Sequence, residues 1–399
     1  MFGLAAVALY VFNPLVDYAA GYAWNHDVVI LCVAASLWLF VTTDFQQRSR
    51  WWRAGAMGAL LTLATCMRVT TVLVELLFFA AVLFVAGGPL KNRLRTALPF
   101  LAAATAVLAW PFWVVAQAPE AFRLNLVRIP TLYGRWLHEI GKTFSKTVLT
   151  VDSLTQPGYM ILSVLAGYFL WIAWRNRSDI DVTERRKAGL AALLPLLLFV
   201  IAYIPPTMWH QYLAIPVPFI AAAFAYPLLV LRRRADKPGD TGWYKLTCGL
   251  VGAGVIISVL VYPAVLQRSI FLLVPERWTP IEFHRTAVKF AAEIRGPKRV
   301  LTLGPLHALE GGCDIYPELS SGSIVYRVAD RMSEHQRQIT HTVGPERLDE
   351  LWADRPASAV IVGIEPSYFA FLEEPLRKLV PPDWRRDTYG ATLQVYRRP

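Results

Sequence analysis

Nine apolar stretches with few charges leave this chain little choice of fold. They run roughly over 1–13, 28–43, 51–67, 69–87, 96–117, 158–174, 189–204, 213–231 and 247–266. A bilayer core takes roughly 20 helical residues per crossing. The pattern therefore predicts an α-helical polytopic membrane protein with about nine transmembrane spans. The first and third stretches are short, so the first can be a partial crossing. With 55% of residues hydrophobic, an ordinary soluble domain is excluded. The net charge of +11 belongs to loops in such a protein rather than to a nucleic-acid surface. No zinc-ligand spacing and no RNA-binding motif is present, so nucleic acid is not an expected partner. Three of the four cysteines, Cys32, Cys66 and Cys248, lie in apolar stretches, and with Cys313 they form no disulfide framework. Met1 opens directly on an apolar run with no basic segment before it. It reads as a chain starting inside a larger membrane protein rather than as a signal peptide.

Charge orients the nine stretches. The loops after the second, fourth, sixth and eighth carry sixteen basic residues, among them Arg48, Arg93, Arg186, Lys187, Arg233 and Lys237. The opposite connections carry six: Arg68, Arg123, Arg128, Arg135, Lys142 and Lys146. The positive-inside rule puts the sixteen in the cytoplasm. Asn25-His26-Asp27, Arg68, the 118–157 connection, His210-Gln211-Tyr212 and everything after Leu266 then share the external face. The 118–157 connection mixes basic residues with Ile129, Leu132, Trp136 and Leu137, as an amphipathic segment in the membrane interface would.

After Gln267 the character changes. Residues 286–294 have helical apolar spacing, 298–304 and 358–363 read as strands, 368–380 as a helix and 391–397 as an alternating strand. The division is a transmembrane domain over 1–266 and a small α/β domain over 267–399 on the external face. Residues 304–312 do not make a GxGxxG pattern, so no nucleotide site is expected there. His307, His335 and His341 lack metal-ligand spacing and read as surface residues.

Four polar islands interrupt the apolar part. Pro205, Pro206, Pro216 and Pro218 bracket His210, Gln211 and Tyr212, a bent and polar pocket mouth. An interfacial aromatic belt explains Trp209 and Tyr212 equally well. Asp27, beside His26, is a general base, a substrate acceptor or a metal ligand, or else a helix N-cap. Arg68 suits a phosphate, or it snorkels to the interface. Glu75 lies seven residues on, nearly two turns, so on one helix the two would line a single cavity about 10 Å apart. Glu75 pairing elsewhere in the bundle is the alternative.

Three stretches resemble the GT-C superfamily of polyprenyl-phosphate-dependent membrane glycosyltransferases, such as protein O-mannosyltransferases, aminoarabinose transferases and rhizobial sugar transferases. They are Gly21-Tyr-Ala-Trp-Asn-His-Asp-Val-Val-Ile-Leu31, Gly55-Ala-Met-Gly-Ala-Leu-Leu-Thr-Leu-Ala-Thr-Cys-Met-Arg68 and His210-Gln-Tyr-Leu-Ala-Ile-Pro-Val-Pro218. The resemblance covers about 1–266. It implies sugar transfer from a polyprenyl-phosphate donor to a glycan, lipid or protein acceptor at the periplasmic face of a bacterial inner membrane. No cofactor beyond the lipid-linked donor is implied. Asp27 would be a catalytic acidic residue, and His26, Arg68, Glu75, His210, Gln211 and Tyr212 would bind substrate. The family also has an acidic loop after its first transmembrane helix, and this chain is expected to lack that N-terminal part. Asp17 does not match its context, so the chain alone is expected to bind donor weakly and to be inactive. A non-catalytic membrane scaffold or subunit presenting the external α/β domain is the competing reading. A transporter fits less well, because the two halves show no matched pair of broken helices.

Overall fold

A computed structural model describes residues 2–20, 25–142, 145–236 and 241–399. Residues 21–24 of the first family-like stretch, and Lys237, lie outside the described residues. The chain divides into two compact units. One comprises Met1–Gln117 and Phe144–Gln267, the other Ala118–Thr143 and Arg268–Pro399.

The first unit is helical. It begins with α1 (Phe2–Val11), α2 (Pro14–Ala20), α3 (His26–Thr42), α4 (Arg50–Met67), α5 (Val72–Val85) and α6 (Leu90–Gln117). Helices Lys146–Thr155, Pro157–Arg175, Val182–Ala202, Val217–Ala223, Ala225–Ala235 and Thr241–Val261 complete it. Nine crossings are not what these helices provide. Among the described residues, four segments are long and apolar enough to cross a membrane: Leu90–Gln117, Pro157–Arg175, His210–Ala235 and Thr241–Val261. A fifth is gained if α1 and α2, bent by 68°, count as one span. The sequence count failed for physical reasons. α3 has 17 residues and α5 has 14. α4 opens on Arg50 and Arg53, and Val182–Ala202 spends its first turns on Glu184, Arg185, Arg186 and Lys187. Apolar runs of that length also suit helices buried within a bundle.

These shorter helices do bury one another. Phe40, Leu61, Phe78, Phe100 and Leu194 form one core, contributed by α3, α4, α5, α6 and Val182–Ala202. A second core joins α1, α2, Pro157–Arg175, Val217–Ala223 and Thr241–Val261 through Leu9, Leu15, Tyr159, Phe169, Val217 and Val251. The charge count above assigned sides on the basis of nine crossings. Contacts instead sort the charges by bundle end. Lys187 Nζ donates to the carbonyls of Val41 (2.8 Å) and Thr43 (2.7 Å), so a cation closes the C-terminus of α3. Arg53 donates to Thr42, Arg186 to the Phe84 carbonyl, and Arg233 pairs bidentately with Glu184. His26 lies at the other end of α3.

Gly58 sets the spacing of α4 and α6. A Cβ there would stand 2.2 Å from the Phe100 carbonyl oxygen, which is backbone and cannot swing away. Close approach through small residues is how helices gain packing where lipid removes the hydrophobic drive. Gly58→Ala is therefore expected to lower thermal stability in detergent by about 1–3 kcal/mol, the usual cost of overpacking. Gly167→Ala, whose Cβ would meet nothing within 4 Å, should not lower it.

The second unit is an α/β domain around a five-stranded mixed sheet. Its strands are β1 (Arg299–Thr302), β2 (Asp314–Ile315), β3 (Ala359–Val362), β4 (Arg385–Tyr389) and β5 (Leu393–Arg397). Their order is β2-β1-β3-β5-β4, with β1 parallel to β2 and β3, and β5 antiparallel to β3 and β4. β3 reads Ala-Val-Ile-Val and is buried throughout, as a strand covered on both faces should be. Ala359 and Ile361 pack with Ala287 and Phe290 of the Thr279–Ala292 helix, while Val360 and Val362 point to the opposite core. That opposite core contains Ile129, Leu132, Trp136 and Leu137. The stretch expected in the membrane interface is thus split. Its Ile129–Glu139 helix belongs to this domain's core, and its Lys146–Thr155 helix belongs to the membrane unit. Arg327 fixes the inserted helix, its guanidinium carbon 5.2 Å from the Tyr133 ring centroid and 5.3 Å from that of Trp136.

The helix expected over 368–380 is instead a 3-10 segment, Ser367–Glu373, followed by Glu374–Lys378. Pro375 has no N–H to donate backward and restarts the helix. The buried carboxylate of Glu373 turns back and accepts from the backbone N–H groups of Gly363 (2.7 Å) and Ile364 (2.9 Å). Of the three histidines expected at the surface, His307 is half-buried, its ring 4.5 Å from that of Phe283.

Arg397 is buried and pairs with Glu293 and Asp387. Its hydrogen bond holds the Glu293 carboxyl below the usual carboxylate range. A depressed folded-state pKa gives stability that is present above the unfolded value, about 4.3, and fades as pH falls through the folded one. Glu293→Gln should therefore lower the melting temperature at pH 7, and the gap should shrink as the pH approaches 3. Glu293 is exposed, so the effect is small.

Candidate functional site

Three elements of the membrane unit meet at the His26 end of α3. The first is the head of α3. Asn25 stands at the cap position without capping, and its side-chain amide donates to the Met67 carbonyl at 2.6 Å. That bond ties α3 to the end of α4. Asp27 is the second residue inside the helix, so it is not the N-cap. Its side chain is exposed and accepts no hydrogen bond from the described residues.

The second element is the corner between α4 and α5. α4 ends at Met67 because Val69, Thr70, Thr71 and Val72 are all β-branched and fit a helix poorly. Arg68 is extended there, with φ −149° and ψ 102°. The expected shared helix face with Glu75 does not exist, since a break separates the two residues. Glu75 faces back to α4 and accepts from Thr62 at 2.6 Å and Thr65 at 2.9 Å. It joins two helices.

The third element is the 3-10 turn His210–Leu213. The Tyr212 ring lies under Arg68, 4.2 Å from guanidinium carbon to ring centroid, and 5.4 Å from the ring of His26. Three residues proposed from sequence, His26, Arg68 and Tyr212, are therefore in mutual reach. Arg68 spends its Nε on Thr70 at 3.2 Å. Both terminal guanidinium nitrogens are buried and have no hydrogen-bond partner among the described residues. Four N–H donors of a cation thus lack a partner among the described residues. Leaving such donors unsatisfied is costly, and an anion would relieve the cost.

His210 has a different role. Its Nδ1 lies 3.0 Å from Ser153 Oγ, and its Nε2 lies 3.7 Å from Asp152 Oδ2. Through the Ser153 hydrogen bond it anchors the turn that presents Tyr212. Ser153 is fully buried, so it offers no nucleophile to a substrate. Gln211 is buried, with its amide oxygen unpartnered among the described residues. Asp152, Ser153 and Lys146 were missed from sequence because they lie in what read as a loop. Lys146 Nζ donates to the carbonyls of Tyr203 (2.7 Å) and Pro205 (2.8 Å), the acceptors freed where Val182–Ala202 ends before its prolines. Asp17 is also taken, accepting from the Tyr262 hydroxyl at 2.6 Å.

Leu154, next to Ser153, is among the residues lining a cavity of about 930 Å³. Tyr159, Phe169, Leu196, Phe199 and Phe224 make its walls almost wholly apolar. An aliphatic chain fits that lining, and a polar ligand does not. No cluster of metal-ligating side chains occurs among the described residues. No family model, curated protein or solved structure matches the chain.

Proposed function

We propose that this chain is a bacterial inner-membrane glycosyltransferase. In this reading it takes a sugar from a polyprenyl-phosphate donor and passes it to an acceptor at the periplasmic face, where its α/β domain would also lie. The observation that supports the reading is Arg68, a buried guanidinium over the Tyr212 ring whose terminal nitrogens have no partner among the described residues. The apolar cavity that Leu154 helps to line would take isoprenoid chain, and Arg68 would hold the phosphate.

The chemistry follows from the available groups. An acceptor hydroxyl attacks the anomeric carbon. The new carbon–oxygen bond forms as the bond from that carbon to the phosphate oxygen breaks, and the polyprenyl phosphate leaves with the electron pair. Arg68 stabilises the charge gathering on the phosphate. The acceptor's proton goes to a base, and Asp27 is an exposed carboxylate that would serve.

The test is turnover of a radiolabelled polyprenyl-phosphate sugar by the purified chain in lipid nanodiscs, with mixed membrane glycans as acceptor. Release of polyprenyl phosphate coupled to labelled acceptor is the expected result, against the expectation from sequence that the chain alone is inactive, because the exposed Asp27 is open to an acceptor. Tight binding of the donor without release would favour a non-catalytic membrane subunit.

A further inference from the structure

A second apolar feature lies just after the last spanning helix and has no part in the site above. Thr241–Val261 is long and apolar enough to cross a membrane. Only Tyr262 and Pro263 separate it from a further apolar helix, Ala264–Leu273. The three Cα–Cα steps from Val261 to Ala264 reach at most about 11 Å, so this helix starts close to where the span ends. Nothing is buried in Ala264–Ser269, Ile270–Leu273 or Pro275–Arg277. Ile270 is 64% exposed, Leu272 68% and Leu273 85%.

Two further observations point to lipid as the cover. The stretch carries Arg268 and Arg277 beside its apolar residues, and Trp278 follows at its end. Basic residues and tryptophan flanking apolar side chains are the composition of a helix lying in a headgroup layer. The stretch is also held in shape from within. The Trp278 indole N–H donates to the Phe271 carbonyl at 2.9 Å, and the Arg277 guanidinium lies 5.2 Å from the Phe271 ring centroid. Those two contacts fold the chain back after Leu273 and leave Ile270, Leu272 and Leu273 free.

We propose that residues 264–278 form an interfacial anchor, with Ile270, Leu272 and Leu273 inserted among acyl chains and Arg268 and Arg277 at the level of the lipid phosphates. The occupant of this face is the bilayer that Thr241–Val261 crosses. The proposal is independent of any transferase activity.

The test uses the full chain with its four cysteines replaced by serine, in nanodiscs of phosphatidylcholine and phosphatidylglycerol. A nitroxide is attached in turn at Ile270→Cys, Leu273→Cys and Glu276→Cys. Collisions with oxygen, which concentrates in lipid, are compared with collisions with a water-soluble nickel chelate. Oxygen should dominate at 270 and 273, and the chelate at 276. Chelate access at 270 and 273 would overturn the proposal. Exclusion of both probes would overturn it too, because protein would then cover the face, a second copy included. If removing the cysteines unfolds the chain, benzoyl-phenylalanine at position 273 of the native sequence reads the same property. Crosslinks to phospholipid are expected, and crosslinks only to protein would contradict the anchor.

Discussion

Arg68→Lys should weaken binding of polyprenyl phosphate by about tenfold or more, and Arg68→Ala by about a hundredfold. Hydrogen bonds to a charged group are worth about 1.5–3 kcal/mol each, and about 1.4 kcal/mol is a factor of ten. Lysine keeps the charge but replaces a planar fork with a point charge. It also cannot reach phosphate and donate to Thr70 in the way arginine does here, with Nε used and both terminal nitrogens left over. Tyr212→Leu is the companion variant. It removes the ring 4.2 Å from the guanidinium and should weaken binding by less, since cation–π contacts contribute about 0.5–2 kcal/mol. Isothermal titration in detergent separates the three. An Arg68→Lys protein that binds as tightly as the native one would return Arg68 to a snorkelling role.

Asp27→Asn should lower the rate of sugar transfer by about a hundredfold to ten-thousandfold, the usual worth of a positioned base. Donor affinity should be unchanged, because Asp27 is not among the groups facing the phosphate in this account. His210→Gln should behave differently. It loosens the turn held by Ser153 and Asp152, and should weaken donor binding through Tyr212. Single-turnover rates and donor affinities measured on both variants distinguish the roles. A transfer rate that survives Asp27→Asn would remove Asp27 from the mechanism.

Sequence made some of this legible. Proline positions around His210 and the apolar runs beside it located the polar turn. The β-branched run after Arg68 was equally visible, yet the apolar character of 69–87 hid the break it causes. Glu75 was therefore placed on Arg68's helix, when its carboxylate turns back to Thr62 and Thr65. Apolar length also misled. α3 and α5 are as apolar as spans but are buried against each other through Phe40 and Phe78. Hydropathy cannot tell a lipid-facing helix from one surrounded by protein. In the second unit, β1, β3 and β5 were readable from their apolar or alternating runs. β2 has two residues and β4 reads Arg-Arg-Asp-Thr-Tyr, so neither carries such a signal. The contribution of Ile129–Glu139 to that unit's core depends on contacts made well over a hundred residues away in sequence, and no local pattern encodes them.

The central claim is that the Arg68 site takes a lipid phosphate. Its most direct test is native mass spectrometry of the chain released from detergent with two ligands of equal chain length, a polyprenyl phosphate and the corresponding polyprenol. Retention of the phosphate and loss of the alcohol are predicted, with the difference abolished in Arg68→Ala. Equal retention of both lipids, or an unchanged preference in Arg68→Ala, would contradict the account.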